Sequence, residues 1–185
     1  MTARALTHAF TPGALVASSA VAVTLLAPVG RFSLRLREAN VPALSQAVGV
    51  ELPGKIGVCA KADTLEVLCL GPDEWLIHLP EADGFRLVEA CARVYPEAPH
   101  SLTEITDREV SVLIEGPKAA ELLTLGCPRD IDRLQEGQGR RTLMDGATVV
   151  LWRDGARRFR LDMWRSFAPH VISLLETGCF ELAAE

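Results

Sequence analysis

Apolar residues alternate with polar ones along residues 31–37, where Phe32, Leu34 and Leu36 are interleaved with Arg31, Ser33, Arg35 and Arg37. A period of two predicts a half-buried strand with its arginines outward. Upstream, Phe10-Thr11-Pro12-Gly13 is a turn signal, and the β-branched run 21–24 predicts a strand entering the core. Downstream, Asn40 predicts a helix cap, Pro42 the first turn, Leu44, Ala47 and Val48 an apolar side, and Gly49 the stop.

One supersecondary unit occurs twice. A strand over 64–70, a Gly71-Pro72-Asp73 turn, a strand over 75–79 and a helix over about 83–95 form the first copy. Phe85, Val88, Cys91, Val94 and Tyr95 are its expected helical stripe. The second copy has a strand over 147–152, an Asp154-Gly155 turn, a strand over 159–163 and a helix over about 166–177. Ser166 is the expected cap, Pro169 falls in the first turn and Gly178 closes it. Between the copies, a strand over 109–114 precedes Gly116-Pro117 and a helix through about Leu125, ended by Gly126. Residues 127–141 read as a polar loop. The pattern predicts an α+β fold, with helices over one face of a mainly antiparallel sheet. Residues 1–30 are expected to be an N-terminal extension with the first strand, and 31–185 a single α+β domain.

Composition supports a folded chain. Of 185 residues, 49% are Ala, Val, Ile, Leu, Met, Phe, Trp, Tyr or Cys. With glycine counted and tyrosine left out, the share is roughly 56%, above the about 45–50% of ordinary soluble domains. The net charge of −5 opposes a general nucleic-acid binder, which needs a basic field. Residues 61–138 carry most of the acid, with 7 basic and 16 acidic groups, a solvated face or a surface for a partner of opposite sign. Cys59, Cys69, Cys91, Cys127 and Cys179 form no CxxC pair and read as small core residues in a reducing cytosol. The apolar stretch 14–29, with Arg4 upstream, imitates a signal segment, but Ser18, Ser19 and Thr24 interrupt it and it is too short to span a bilayer. A cytoplasmic protein without membrane insertion is expected.

Chemistry-bearing motifs are missing: the sequence has no GxGxxG, P-loop, GxSxG or HExxH. Gly137-Gln138-Gly139 reads as a flexible turn. His8, His78, His100 and His170 share no metal-ligand spacing, and His78 is expected on the outer face of its strand, opposite Trp75, Ile77 and Leu79. Trp75, Trp152 and Trp164 read as core. Arg140, Arg141, Arg153, Arg157, Arg158, Arg160 and Arg165 are dense around the last hairpin. They suit either an anionic ligand or partner, or a solvent face where Arg158, Arg160 and Asp162 oppose inward Phe159, Leu161 and Met163. No catalytic, cofactor-binding or metal-ligating residue is assigned.

Four ordered blocks carry a family likeness: Leu70-Gly71-Pro72-Asp73-Glu74-Trp75-Leu76, Ile114-Glu115-Gly116-Pro117-Lys118-Ala119-Ala120-Glu121-Leu122-Leu123, Gly126-Cys127-Pro128-Arg129-Asp130-Ile131-Asp132, and Arg165-Ser166-Phe167-Ala168. Over about 31–178 the chain resembles the gamma subunit of heterotetrameric sarcosine oxidase. The resemblance implies a structural subunit, with alpha, beta and delta partners, of a flavoenzyme that oxidatively demethylates sarcosine to glycine. Peroxide forms from oxygen, and a one-carbon unit passes to tetrahydrofolate. It also implies that FAD, FMN, NAD, zinc and tetrahydrofolate belong to the partner subunits. More distantly the chain is similar to a fragment of the folate-binding aminomethyltransferase T-protein. There the slot of the functional carboxylate falls on Ile105, with Asp107 two positions away. The rival expectations are a free-standing folate or small-anion binding module using Asp107 and the late arginines, and a nucleic-acid adaptor using the arginines between Arg140 and Arg165.

Overall fold

A computed structural model describes residues 10–184, which leaves His8 and Arg4 outside the described residues. Strands β1 (Gly13–Ala17), β2 (Ala22–Leu25) and β3 (Gly30–Leu36) are followed by helix α1 (Val41–Val48). Strands β4 (Cys59–Ala62), β5 (Leu65–Gly71) and β6 (Glu74–Leu79) lead into α2 (Gly84–Val94). Then come β7 (His100–Glu104), β8 (Glu109–Glu115) and α3 (Ala119–Thr124), and last β9 (Gln138–Met144), β10 (Ala147–Gly155), β11 (Arg158–Trp164) and α4 (Ala168–Ala183).

The α+β class and the repeated hairpin-plus-helix unit are as expected, but the strands make two sheets where one was expected. One has the order β1-β2-β8-β11-β10-β9 and the other β4-β5-β6-β3-β7, antiparallel throughout. Alternation along the central strands explains the layering. Val149, Leu151, Phe159, Leu161 and Met163 pack under α3 and α4, while Val67, Ile77, Phe32 and Leu34 pack with residues of α1 and α2. Leu68, Leu76, Val150 and Trp152, on the opposite faces, join the sheets to each other. The order of layers is therefore helix, sheet, sheet, helix.

Several expectations are corrected by this arrangement. The N-terminal extension supplies two strands where one was expected, while Val21, Val23 and Leu25 are buried in the core as the β-branched run predicts. Residues 127–141, read as a loop, end in the edge strand β9, whose paired arginines hid its pattern. Helix α2 buries Gly84, Leu87 and Cys91, whereas Phe85 (71% exposed), Val88 and Tyr95 face outward. Both sets of positions have helical spacing. The choice falls to Gly84, where a Cβ would stand 3.2 Å from the Phe32 ring, so this face alone admits the close approach.

Helix α4 starts after Phe167 rather than on a Ser166 cap, and it runs through Gly178 instead of ending there. A Cβ on Gly178 would lie 2.2 Å from Leu125 Cδ1 and 2.6 Å from Leu122 Cδ1, so this glycine serves the approach of α3 to α4. Gly116 opens the connection from β8 to α3 with φ of 137°, and its Cβ would meet the Ala20 carbonyl oxygen at 2.6 Å. Gly116→Ala is expected to destabilise the chain by about 2–3 kcal/mol through strain and backbone contact. A urea midpoint that falls at unchanged slope would register it; an unmoved midpoint would contradict it.

Candidate functional site

The interface between the sheets has an apolar centre made by Leu68, Leu76, Ile105, Val150 and Trp152. Strand alternation surrounds that centre with polar groups. From β3, Arg31 Nη2 donates to Ser111 Oγ on β8 at 2.5 Å, and Nη1 donates to the Glu109 carbonyl at 3.4 Å. Ser111 Oγ in turn donates to Asp162 Oδ1 on β11. The second oxygen of Asp162 accepts from Trp152 Nε1 at 2.6 Å. Arg31 and Asp162 are both buried, which reverses the expectation that these strands turn their charges to solvent. The second sheet covers the face that was read as solvated.

His78 is likewise buried, not on an outer face. Its Nε2 lies 3.6 Å from Asp162 Oδ2 and has no hydrogen-bond partner, and its ring stands 5.1 Å from that of Trp152. Burial lowers the His78 pKa from 6.5 to about 4, against the pull of the nearby Asp162 carboxylate. The imidazole is therefore neutral at pH 7.

Two ion-pair groups clasp the sheets on either side of this network. Arg160 on β11 reaches Asp154 at 2.6 Å and Glu66 on β5 at 2.8 Å, with its guanidinium 4.7 Å over the Trp152 ring. Burial alone would raise the Glu66 pKa, but Arg160 and Lys61 outweigh it and hold the carboxyl below its usual range. Burial likewise opposes the charge on Arg160, yet Asp154 and Glu66 raise its pKa. Within the Gly71-Pro72-Asp73-Glu74 block, the hairpin turn delivers Glu74 into the seam. There Arg141 on β9 grips it with two bonds of 2.9 and 2.5 Å, while Arg35 adds a third contact at 2.9 Å. The Arg141 hydrogen bonds lower the Glu74 pKa despite its burial. The neighbouring Trp75 points the other way and donates to the Pro53 carbonyl at 2.9 Å.

The dense arginines of the last hairpin do not converge. Arg153 donates to the Leu134 carbonyl at 2.7 Å, Arg158 pairs with Glu115, and Arg140 donates to the Gly139 carbonyl. Gly139 lies in β9 against Leu68 rather than in a flexible turn. Asp107 and Arg165 do share a cavity, but it measures only about 110 Å³, well under the about 300–1,000 Å³ of pockets for drug-sized ligands. Ile105, in the slot of the lost carboxylate, is buried in the inter-sheet cluster. His100 bonds the Ala98 carbonyl and His170 pairs with Asp145 at the surface. Trp75 and Trp152 are buried as expected, whereas Trp164 is partly exposed. Among the described residues, no group of three or more His, Cys, Asp or Glu is placed to hold a metal ion. No described helix is long and apolar enough to cross a membrane.

Sequence reasoning missed the inter-sheet network. A usable signal existed: Arg31 pairs with His78 and Asp162 with Val150, which puts them on the same strand faces as Leu76 and Trp152.

This layered hairpin-and-helix fold is shared with aminomethyltransferase T of the glycine cleavage system from Bartonella henselae. The TM-score is 0.66 at 16% identity, over 85% of this chain and 46% of that one. No protein-family model matches the chain. A curated relative, sarcosine oxidase subunit gamma of Corynebacterium sp. strain U-96, is 30% identical over 145 residues, 77% of this chain and 70% of that protein. The gamma subunit of Arthrobacter sp. is 29% identical over the same shares. A chain of the heterotetrameric sarcosine oxidase from Corynebacterium sp. U-96, solved with pyrrole 2-carboxylate, superposes with a TM-score of 0.81 at 26% identity, over 93% of this chain and 90% of that one. The chain belongs to the sarcosine oxidase gamma-subunit family.

Proposed function

We propose that this chain is the non-catalytic gamma subunit of a heterotetrameric sarcosine oxidase in the cytoplasm, where it supports the assembly of alpha, beta and delta subunits. In this reading the partners hold FAD, FMN, NAD, zinc and tetrahydrofolate, and carry out the demethylation of sarcosine to glycine. The carrying observation is the inter-sheet seam. Asp162 spends both oxygens on Ser111 and Trp152, and Glu74, Glu66, Arg141 and Arg160 are engaged with one another across the sheets. Groups committed in this way hold a scaffold together and have little capacity left to move protons or bind a reacting molecule.

The test is co-expression with the other three subunits. A four-subunit complex with sarcosine-dependent peroxide production is expected, with yield or activity dropping when this chain is omitted. Alone, the chain should lack flavin absorbance and sarcosine-dependent turnover. Saturable folate binding by the lone chain would instead favour the small-module reading built on Asp107 and Arg165.

A further inference from the structure

The connector from β2 to β3 carries the chain from one sheet to the other. At its start Leu26 N–H donates to the Ser111 carbonyl at 2.9 Å, and at its end the Val29 carbonyl accepts from Arg31 Nη1 at 3.3 Å. Beside it the seam opens into a cavity of about 320 Å³, between Glu66 and His78 on one sheet and Ser111 and Arg160 on the other. That volume lies at the low end of the about 300–1,000 Å³ of small-molecule sites, enough for a single ring. Leu26, Pro28, Val29, Leu79 and Pro80 give the cavity an apolar wall.

His78 is the member of the seam that stays idle. Its side chain is only 5% exposed, and among the described residues neither ring nitrogen has a hydrogen-bond partner. Nε2 is sealed off and stands 3.6 Å from Asp162 Oδ2. A carboxylate oxygen in front of Nε2 favours the ring hydrogen on that nitrogen, which leaves Nδ1 as a bare lone pair on the side left to the cavity. An acceptor in that condition on an apolar wall calls for an O–H or N–H from a ligand. The charged groups of the wall, by contrast, are spent. Arg160 pairs with Glu66 at 2.8 Å and with Asp154 at 2.6 Å, and Lys61 pairs with Glu66, so two cations match two carboxylates. Behind them Ser111 links Arg31 to Asp162. A charged ligand would lose its hydration here and find no uncompensated partner.

We infer that this cavity binds a small uncharged molecule with one apolar ring, which packs against Pro28, Leu79 and Pro80 and donates a hydroxyl or azole N–H to His78 Nδ1. Asp162, Ser111 and Arg160 keep their scaffold role, and His78 alone adds recognition. The site is built from this chain's own residues, so it does not depend on the gamma-subunit reading, which stands or falls separately.

The test titrates the full chain with phenol, toluene and benzoate while the histidine ring nitrogens are followed by NMR. Phenol is expected to bind saturably with a Kd of about 1 mM and to shift the His78 ring signals. Toluene lacks the donor and benzoate brings a charge, so each should bind at least about tenfold more weakly. His78→Phe should abolish the advantage of phenol over toluene. Ala27→Trp enlarges an exposed connector side chain on the cavity wall and should block both probes with the thermal midpoint near that of the parent. This second variant decides the matter if His78→Phe does not fold. Equal affinity for phenol and toluene, tighter binding of benzoate, or phenol binding that survives Ala27→Trp would each overturn the inference. A parent chain with no saturable phenol binding would hold only water in the cavity, and the inference would fall.

Discussion

Asp162→Ala is expected to remove about 3–5 kcal/mol of stability, the usual consequence of breaking a buried charged network by deleting one partner. The substitution leaves Trp152 Nε1 without an acceptor and frees the Ser111 hydroxyl that links Asp162 to Arg31. Arg31 then remains as a buried cation facing a cavity. Because whole domains are stable by only about 5–15 kcal/mol, the variant should be largely unfolded at physiological temperature or recovered in low yield. Asp162→Asn keeps the volume and one acceptor, so it should lose less, about 1–3 kcal/mol. Urea unfolding of both variants checks the ordering. A loss below about 1 kcal/mol for the alanine variant would show that the network contributes little net stability.

The second large effect concerns pH. His78 has a folded pKa of about 4 against 6.5 for an unperturbed imidazole. Between these values the unfolded chain binds a proton that the folded chain refuses, so stability falls as pH is lowered from about 6.5 towards 4 and is recovered as pH rises. The full shift corresponds to about 3 kcal/mol. The carboxylates act in a lower window. Glu66 and Glu74 have folded pKa values below the ordinary carboxyl value of 4.5, so their contribution is complete above that pH and is lost as pH falls through the depressed values. Stability curves for the parent chain and His78→Gln should therefore converge in slope below pH 4 and differ between pH 5 and 6.5, where the variant should be nearly flat. A parent curve already flat across that interval would mean that His78 is not held neutral.

Local chemistry was legible where turns and alternation agree. The β5–β6 hairpin and the start of β8 fell within a residue of expectation, because Pro72-Asp73 marks the turn, whereas β10 runs on through Asp154-Gly155, the expected turn, and the chain reverses at 156–157. Edge strands were harder. β4 is four residues of small side chains around Lys61, β7 is short and polar, and β9 carries Arg140 and Arg141, so no clear apolar face announced them. The choice of helical face on α2 depended on a glycine fitting under Phe32, which is a tertiary fact. The same holds for the seam. Arg31, His78 and Asp162 looked like solvent positions because one sheet was assumed, and a second sheet turns the same alternation into a buried polar layer. The family likeness rested on four short blocks, and the structure explains two of them: Glu74 clamps two arginines from opposite sheets, and Gly116 admits the Ala20 carbonyl.

The strand order also carries a history of assembly. All five strands of one sheet, with α1 and α2, come from the unbroken stretch 30–104, whereas β1 and β2 must wait for β8, nearly a hundred residues later, before they gain a neighbour outside their own hairpin. Closing so long a loop loses chain entropy before any contact compensates it. During synthesis, then, the inner segment is free to collapse into a nucleus while the first hairpin remains unclaimed. The outer sheet closes around it only once the far side of the chain has emerged.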